Sequence, residues 1–433
     1  KQGRWRGIRR DNTKGGGRMT DLNTELYGTL TDDDGEATRT EARNGARHMV
    51  SLSMTKVADG LIDPKLVLSW LMNGLGAPAV LVGALVPVRE AGALLPQLFL
   101  AGWVESMRHR KWAWITGCLG QGLAAAAICL FALTLEGWAA GLAIVAALAV
   151  LAVSRACASV SYKDILGKTI PKTRRGSVKG VAGSVASIAV LVFALLLMSG
   201  LVQNTPALIV AIGLAAGLWF CAAAVFSTLR EKPSEPEARE GLDFTPLRED
   251  AQFRWFIAVR GLLTATALAP PYLVLLEGGE GALSRLGALV LASAAAAFVS
   301  SYVWGRLSDV SSRRVLMLSG LSGAVAMLAA VAAALLGWAS VYGVIPAILF
   351  VLMIAYQGVR SGRSTYLVDM APEDARSTYA ALANTAIGVL LLVTGLIGGA
   401  LSFVGPVAAL LGFAVLSAAG GIMALRLREV ELV

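Results

Sequence analysis

The chain has 433 residues, of which 56% are hydrophobic and only 15% charged. That balance excludes an ordinary water-soluble protein, in which about a quarter of residues are charged, and the length is read as a series of membrane spans rather than as two or three soluble domains. The formal net charge of +9 reads as basic loops on one membrane face and not as a nucleic-acid footprint, because no basic stretch is interleaved with exposed aromatic residues.

Residues 1–45 are polar, glycine-rich and charged, without the apolar core of a signal peptide, and are expected to form a disordered cytoplasmic tail. Met19 is an alternative start, which would make residues 1–18 an upstream extension. From residue 46 onward apolar runs of about 20 residues recur, each long enough to cross a ~30 Å hydrocarbon core as a helix. The expected fold is all-α and polytopic, with 12 transmembrane helices in two six-helix halves. The first half, 46–229, holds spans at 47–72, 76–103, 112–134, 139–161, 177–201 and 205–229. A polar stretch rich in Pro, Glu and Arg, 230–250, reads as a cytoplasmic linker. The second half, 251–429, holds spans at 251–276, 282–304, 315–337, 340–366, 377–401 and 405–426.

The loops alternate in charge. One set is basic ("ESMRHRK", "KDILGKTIPKTRRGSVK", "GRLSDVSSRR"). The other is short and nearly free of Lys and Arg ("NGLGAP", "TLEGW", "QNTP", "SFVGP"). The positive-inside rule places the basic set, and with it both termini, in the cytoplasm.

Ionisable residues inside spans are functional candidates by default, because each costs about 2.5–3.5 kcal/mol to insert. In the first span Lys56, Asp59 and Asp63 share one helical face. Lys56 and Asp59 are expected to pair, which leaves Asp63, before the kink at Pro64, as the better protonatable carboxylate. Arg89 and Glu90, near the middle of the second span, point about 100° apart and cannot neutralise each other. Arg89 is the stronger substrate candidate and Glu90 the stronger proton candidate; an interhelical salt bridge is the structural alternative. Arg155, Arg260 and Arg360 would make the cavity net positive, and Arg155 and Arg360 stand alternatively as braces for Asp164 and Asp369. Arginine forks suit carboxylate or phosphate, so an anionic or zwitterionic organic solute is favoured. Gln357 is a polar cavity candidate, and Arg363 is expected to snorkel to the cytoplasmic surface.

Cys118, Cys129, Cys157 and Cys221 lie in apolar runs without a CxxC, and His48 and His109 are far apart, so no metal site and no cofactor are expected. No Walker loop, HExxH or GxSxG occurs, and an enzyme is not expected.

An internal repeat supports two halves. "GALV" recurs at 83–86 and 287–290; at the same offset Glu105 matches Asp309 and Arg110 matches Arg314. "PKLVL" at 64–68 is similar to "PYLVL" at 271–275.

The stretch "GRLSDVSSRR" at 305–314 resembles the cytoplasmic loop signature of the major facilitator superfamily: Gly305, then Asp309, then the basic pair Arg313 and Arg314. The resemblance extends over about residues 46–429. The first-half copy, "AGWVESMRHRK", carries Ala101 for glycine and Glu105 for aspartate. Arg155 in "LAVSRACAS" is similar to an arginine motif that in this family accompanies proton coupling, whereas the Gly-Pro motif of drug–proton antiporters is absent from the fifth span. The resemblance implies a secondary transporter working by alternating access around a site between its halves. Glu105, Arg110, Gly305, Asp309, Arg313 and Arg314 would form a conformational latch, with Arg313 and Arg314 able to reach the other half. The expected setting is a multi-pass inner or plasma membrane protein, in the lipid bilayer, binding a small-molecule substrate as a functional monomer without nucleic acid. A gradient-driven uniporter or exporter, or a non-transporting receptor or assembly scaffold, is the alternative.

Overall fold

The computed structural model describes residues 38–199, 205–235, 244–277, 283–308, 310–372 and 375–430. The elements among them are helical, with no β-strand.

Helix α1 (Arg39–Leu61) opens on Thr38, whose side chain accepts the Glu41 N–H at 3.2 Å, a first-turn cap. It stops before Pro64, which lacks an N–H and clashes with a preceding turn. The chain resumes as α2 (Val67–Gly74). Asp63 bridges the break: one carboxylate oxygen accepts the N–H groups of Lys65 at 2.7 Å and Leu66 at 3.1 Å. Next come α3 (Ala79–Leu94) and α4 (Gln97–Glu105), interrupted at Pro96, then the long helices α5 (Lys111–Thr134), α6 (Gly137–Thr169), α7 (Arg175–Met198) and α8 (Thr205–Ser227).

The second half begins with the short α9 (Thr245–Glu249) and α10 (Ala251–Leu263), the latter capped by Asp250, which accepts the Phe253 N–H at 3.0 Å. Its first long segment is then broken into α11 (Ala265–Leu268) and α12 (Pro270–Glu277). The repeated "PKLVL" and "PYLVL" therefore both follow a chain break. The remaining helices are α13 (Leu283–Ser308), α14 (Ser312–Leu335), α15 (Val344–Met370), α16 (Arg376–Ser402) and α17 (Pro406–Ala424).

Among the described residues nine helical segments are long and apolar enough to cross a membrane, ten if the bent pair α3–α4 counts as one. The expected spans 47–72 and 282–304 fall outside that set. Pro64 splits the first, and in the second the apolar stretch among the described side chains of α13 is Ser284–Ser300. Large apolar side chains cover the outside of the bundle: Phe298 is 82% exposed, Leu396 74% and Val210 70%. Such a surface is stable against lipid and not against water.

Each half has its own apolar core, exemplified by Leu148 and Trp219 in the first and by Phe256 and Tyr366 in the second. A third cluster is shared, joining Trp70, Val86 and Leu197 to Tyr272, Leu289 and Phe413. The halves meet along α3–α16 and α7–α13. Small residues allow the approach: a Cβ on Gly395 would run into the Pro87 ring, and one on Gly287 would stand 2.8 Å from the carbonyl oxygen of Ala194. Met198 and Gly287 lie at the end with the short turns. Nearer the basic loops the same two helices part around a cleft of about 670 Å³ that includes Ile188, Leu191, Ala294 and Phe298.

Candidate functional site

The charged face of α1 is the starting point. Asp59 does not pair with Lys56. Its Oδ1 receives Arg89 Nη2 at 3.0 Å and is also bonded by Arg155 Nη1. One carboxylate on α1 thus holds arginines from α3 and α6. Lys56 instead donates to the carbonyl of Lys179 at 3.4 Å. Asp63 is committed to the backbone of the α1–α2 break, and it borders the α7–α13 cleft.

The 100° step between Arg89 and Glu90 sends the two in opposite directions. Arg89, 8% exposed, turns into the first half toward Asp59. Glu90 lines a cavity between the halves together with Arg260, Tyr356, Arg360 and Arg363. The charges acting on Glu90 are those of Lys65, Arg89, Arg363 and Arg360. Lys65, only 7% exposed, stacks over the Tyr356 ring from the first-half side. Arg260 donates to Asn384 Oδ1 at 3.2 Å, and its buried Nε has no hydrogen-bond partner among the described residues. This cavity is about 30 Å³, which admits a water but no organic solute. The halves have closed on it. Gln357 is half-buried beside Tyr356 and is not among the residues lining this cavity. Arg363, expected at the surface, lines the cavity instead.

A second cavity, of about 260 Å³, lies within the first half and includes Lys56, Asp59 and Arg155. It shares no lining residue with the cavity around Glu90. The two are joined through the Asp59–Arg89 bond and the peptide link from Arg89 to Glu90.

At the basic end each half closes on itself. In the first, Arg110 pairs with Asp164 at 2.7 Å, Lys168 also pairs with Asp164, and Glu231 accepts the N–H groups of Arg110 at 3.1 Å and Lys111 at 2.9 Å. In the second, Arg313 pairs with Glu429 at 2.6 Å, and the Ser311 hydroxyl donates to the same carboxylate at 2.7 Å. Arg314 is 4.0 Å from Glu429 and largely exposed. The arginines of "GRLSDVSSRR" therefore bind the end of their own half rather than reaching across, because Glu429 follows α17 directly beneath them. Gly305 lies in the last turn of α13 and Glu105 ends α4; Asp309 lies outside the described residues.

The profile of the Major Facilitator Superfamily matches residues 265–432. Most of the chain superposes on solved structures of transporters. One is a POT family transporter in complex with a thioalcohol-conjugated peptide, with TM-score 0.67 and 12% identity over 88% of this chain and 95% of that one. Another is a variant of the nucleoside transporter NupG, with TM-score 0.67 and 13% identity over 89% of this chain and all of that one. Residues 265–432 thus match the Major Facilitator Superfamily, and the fold of the chain is similar to that of these transporters. No curated protein sequence matches it. As a multi-pass membrane protein, it holds charged side chains around Glu90, between the halves, and around Asp59, inside the first half.

Sequence reasoning missed Lys65, Arg363, Glu231 and Glu429. Lys65 carried a usable signal, a lysine inside an apolar span, masked by its place in the "PKLVL" repeat. The two glutamates carried none, since each acts on a loop about 120 residues earlier in the chain.

Proposed function

We propose that this protein is a secondary transporter that moves a small anionic or zwitterionic organic solute by alternating access. Twelve spans in two six-helix halves, with basic loops and both termini in the cytoplasm, set the frame; the inner or plasma membrane is its location. One observation carries the choice of solute: among the described residues, Glu90 is the one carboxylate lining the cavity between the halves, against Arg260, Arg360 and Arg363, and Lys65 also acts on it. Such a site at depth is costly unless an anion completes it, and guanidinium forks bind carboxylates with two parallel donors.

Proton coupling runs through Asp59 and Glu90 in this reading. Asp59 is held by two arginines whose separation changes if α3 and α6 move relative to α1, and Glu90 faces the cavity that opens and closes. Asp63 is the weaker candidate, because its carboxylate already accepts two backbone N–H groups. Relatedness in fold to peptide and nucleoside transporters supports translocation itself. The test is uptake of a panel of labelled organic acids, amino acids and amines into proteoliposomes under an imposed pH gradient. Acid uptake that follows the gradient, and loses that dependence in Asp59→Asn or Glu90→Gln, is expected. Uptake of amines alone, or uptake indifferent to the gradient and to both substitutions, refutes the reading.

A further inference from the structure

We propose that the first half contains a second binding site, for a small organic carboxylate with an apolar body, in the 260 Å³ cavity between α1, α5, α6 and α7. The cavity is separate from the one around Glu90, and its occupant competes with Asp59 for Arg155.

Charge is the first argument. Four cations line the cavity, Lys56, Arg155, Lys163 and Lys179, against the single carboxylate of Asp59. That carboxylate is already shared between Arg155 and a third arginine, Arg89. Lys163 and Lys179 form no ion pair among the described residues, and both are exposed. Arg155 is not fully covered by Asp59 either, with 39% of its side chain accessible, so its remaining guanidinium donors are open to a ligand.

The character of the walls is the second argument. The other walls are apolar, built from Leu52, Trp114 and Cys118. Cations beside an apolar, partly aromatic wall suit a carboxylate on a hydrocarbon or aromatic body better than inorganic phosphate. The volume lies just below the roughly 300–1,000 Å³ of sites for drug-sized ligands, so the ligand is of metabolite size.

The position gives the site a consequence. A carboxylate that bonds Arg155 releases Asp59 to Arg89 alone, and Arg89 is bonded through the chain to Glu90. Occupation of the first-half cavity thereby changes the charge balance next to the cavity between the halves. The purpose of the site rests on the transport reading, but its existence does not, and binding is measurable without translocation.

The experiment is equilibrium binding of radiolabelled benzoate to the purified full chain in detergent, with benzamide as the neutral competitor. Saturable benzoate binding that benzamide does not displace is expected. The double variant Lys163→Gln/Lys179→Gln, altered only at exposed positions, is expected to weaken it about tenfold, equivalent to about 1.4 kcal/mol. Arg360→Gln, in the other cavity, is expected to leave the lysine-dependent binding in place. Absence of saturable binding, displacement by benzamide, or loss in Arg360→Gln without loss in the lysine double variant overturns the proposal. Benzoate binding with the expected pattern in a protein that fails every uptake assay would uphold the site and refute the transport reading.

Discussion

The ammonium group of Lys65 stands 3.5 Å from the centroid of the Tyr356 ring, a cation–π contact that crosses from the first half to the second. The guanidinium of Arg360 lies 5.8 Å from the same centroid, so one ring serves cations from both sides of the division. In the proposed transport cycle this contact is expected only while the halves are closed here. Tyr356→Leu is expected to weaken the closed arrangement by about 1–2 kcal/mol, the value of a desolvated cation–π pair, and Tyr356→Phe to weaken it less. Rates of uptake, together with the reactivity of a probe cysteine placed at Thr264 on the cavity wall, report the shift. Equal effects of Leu and Phe would assign the contact to packing alone.

Asp59→Asn leaves Arg89 and Arg155 facing each other without a counter-charge. Removing one partner of a fully buried ion pair costs roughly 3–5 kcal/mol. Arg155 is partly exposed, so a loss of about 2–3 kcal/mol is expected, read as a lower midpoint in thermal unfolding of the detergent-solubilised protein. Asp59→Asn combined with Arg155→Gln should recover part of that loss. If the double variant is no more stable than the single one, the two residues do not act as a pair.

What was legible in the sequence, and what was not, divides along a physical line. Apolar length and loop charge are local properties, and the helices follow them closely: the runs at 112–134 and 205–229 fall on Lys111–Thr134 and Thr205–Ser227. The depth of a charge in a span is local too, which is why Asp59, Arg89, Glu90 and Arg155 could be singled out. The partner of a charge is not local. Lys56 and Asp59 are close in sequence, yet Asp59 is taken by arginines 30 and 96 positions away, because a guanidinium from a neighbouring helix offers better geometry than a lysine one turn earlier. Asp63 shows a missed local signal. An aspartate directly before proline, followed by free N–H groups two and three residues on, is a turn-capping pattern, and the side chain is used for that.

Gly287→Val places branched carbon atoms where a Cβ alone would already be 2.8 Å from the backbone of Ala194 and Met198. The α7–α13 contact at the short-turn end is expected to open, since overpacking of this kind costs about 1–3 kcal/mol. Leu197, 1% exposed within the shared core, reports on it. In Leu197→Cys the introduced thiol should be inert to a membrane-impermeant maleimide, and in the double variant with Gly287→Val it should react from the face opposite the basic loops. Reaction only from the basic face would reverse the assigned polarity of closure.

Glu231 and Glu429 occupy matching places in the two halves but differ in burial. The Glu231 side chain is 0% exposed and accepts two backbone N–H groups. Glu429 is 18% exposed and serves arginines that are partly in water. Glu231→Gln is therefore expected to cost about 1.5–3 kcal/mol, the range for hydrogen bonds to a charged group, and Glu429→Gln under about 1 kcal/mol. Chemical unfolding of the two variants side by side gives the ranking, and the reverse order would show that the first-half loop is the weaker clasp.

Glu231 has a larger role than fastening a loop. It stands where the first half ends, and by turning that end back onto Arg110 and Lys111 it finishes the half before the connecting stretch begins. The halves also share an apolar cluster that includes Trp70, Leu197, Tyr272 and Phe413. The two halves are therefore expected to associate without an unbroken chain between them. Residues 1–235 and 244–433, produced from separate genes in one cell, should find each other in the bilayer and co-purify as a working pair.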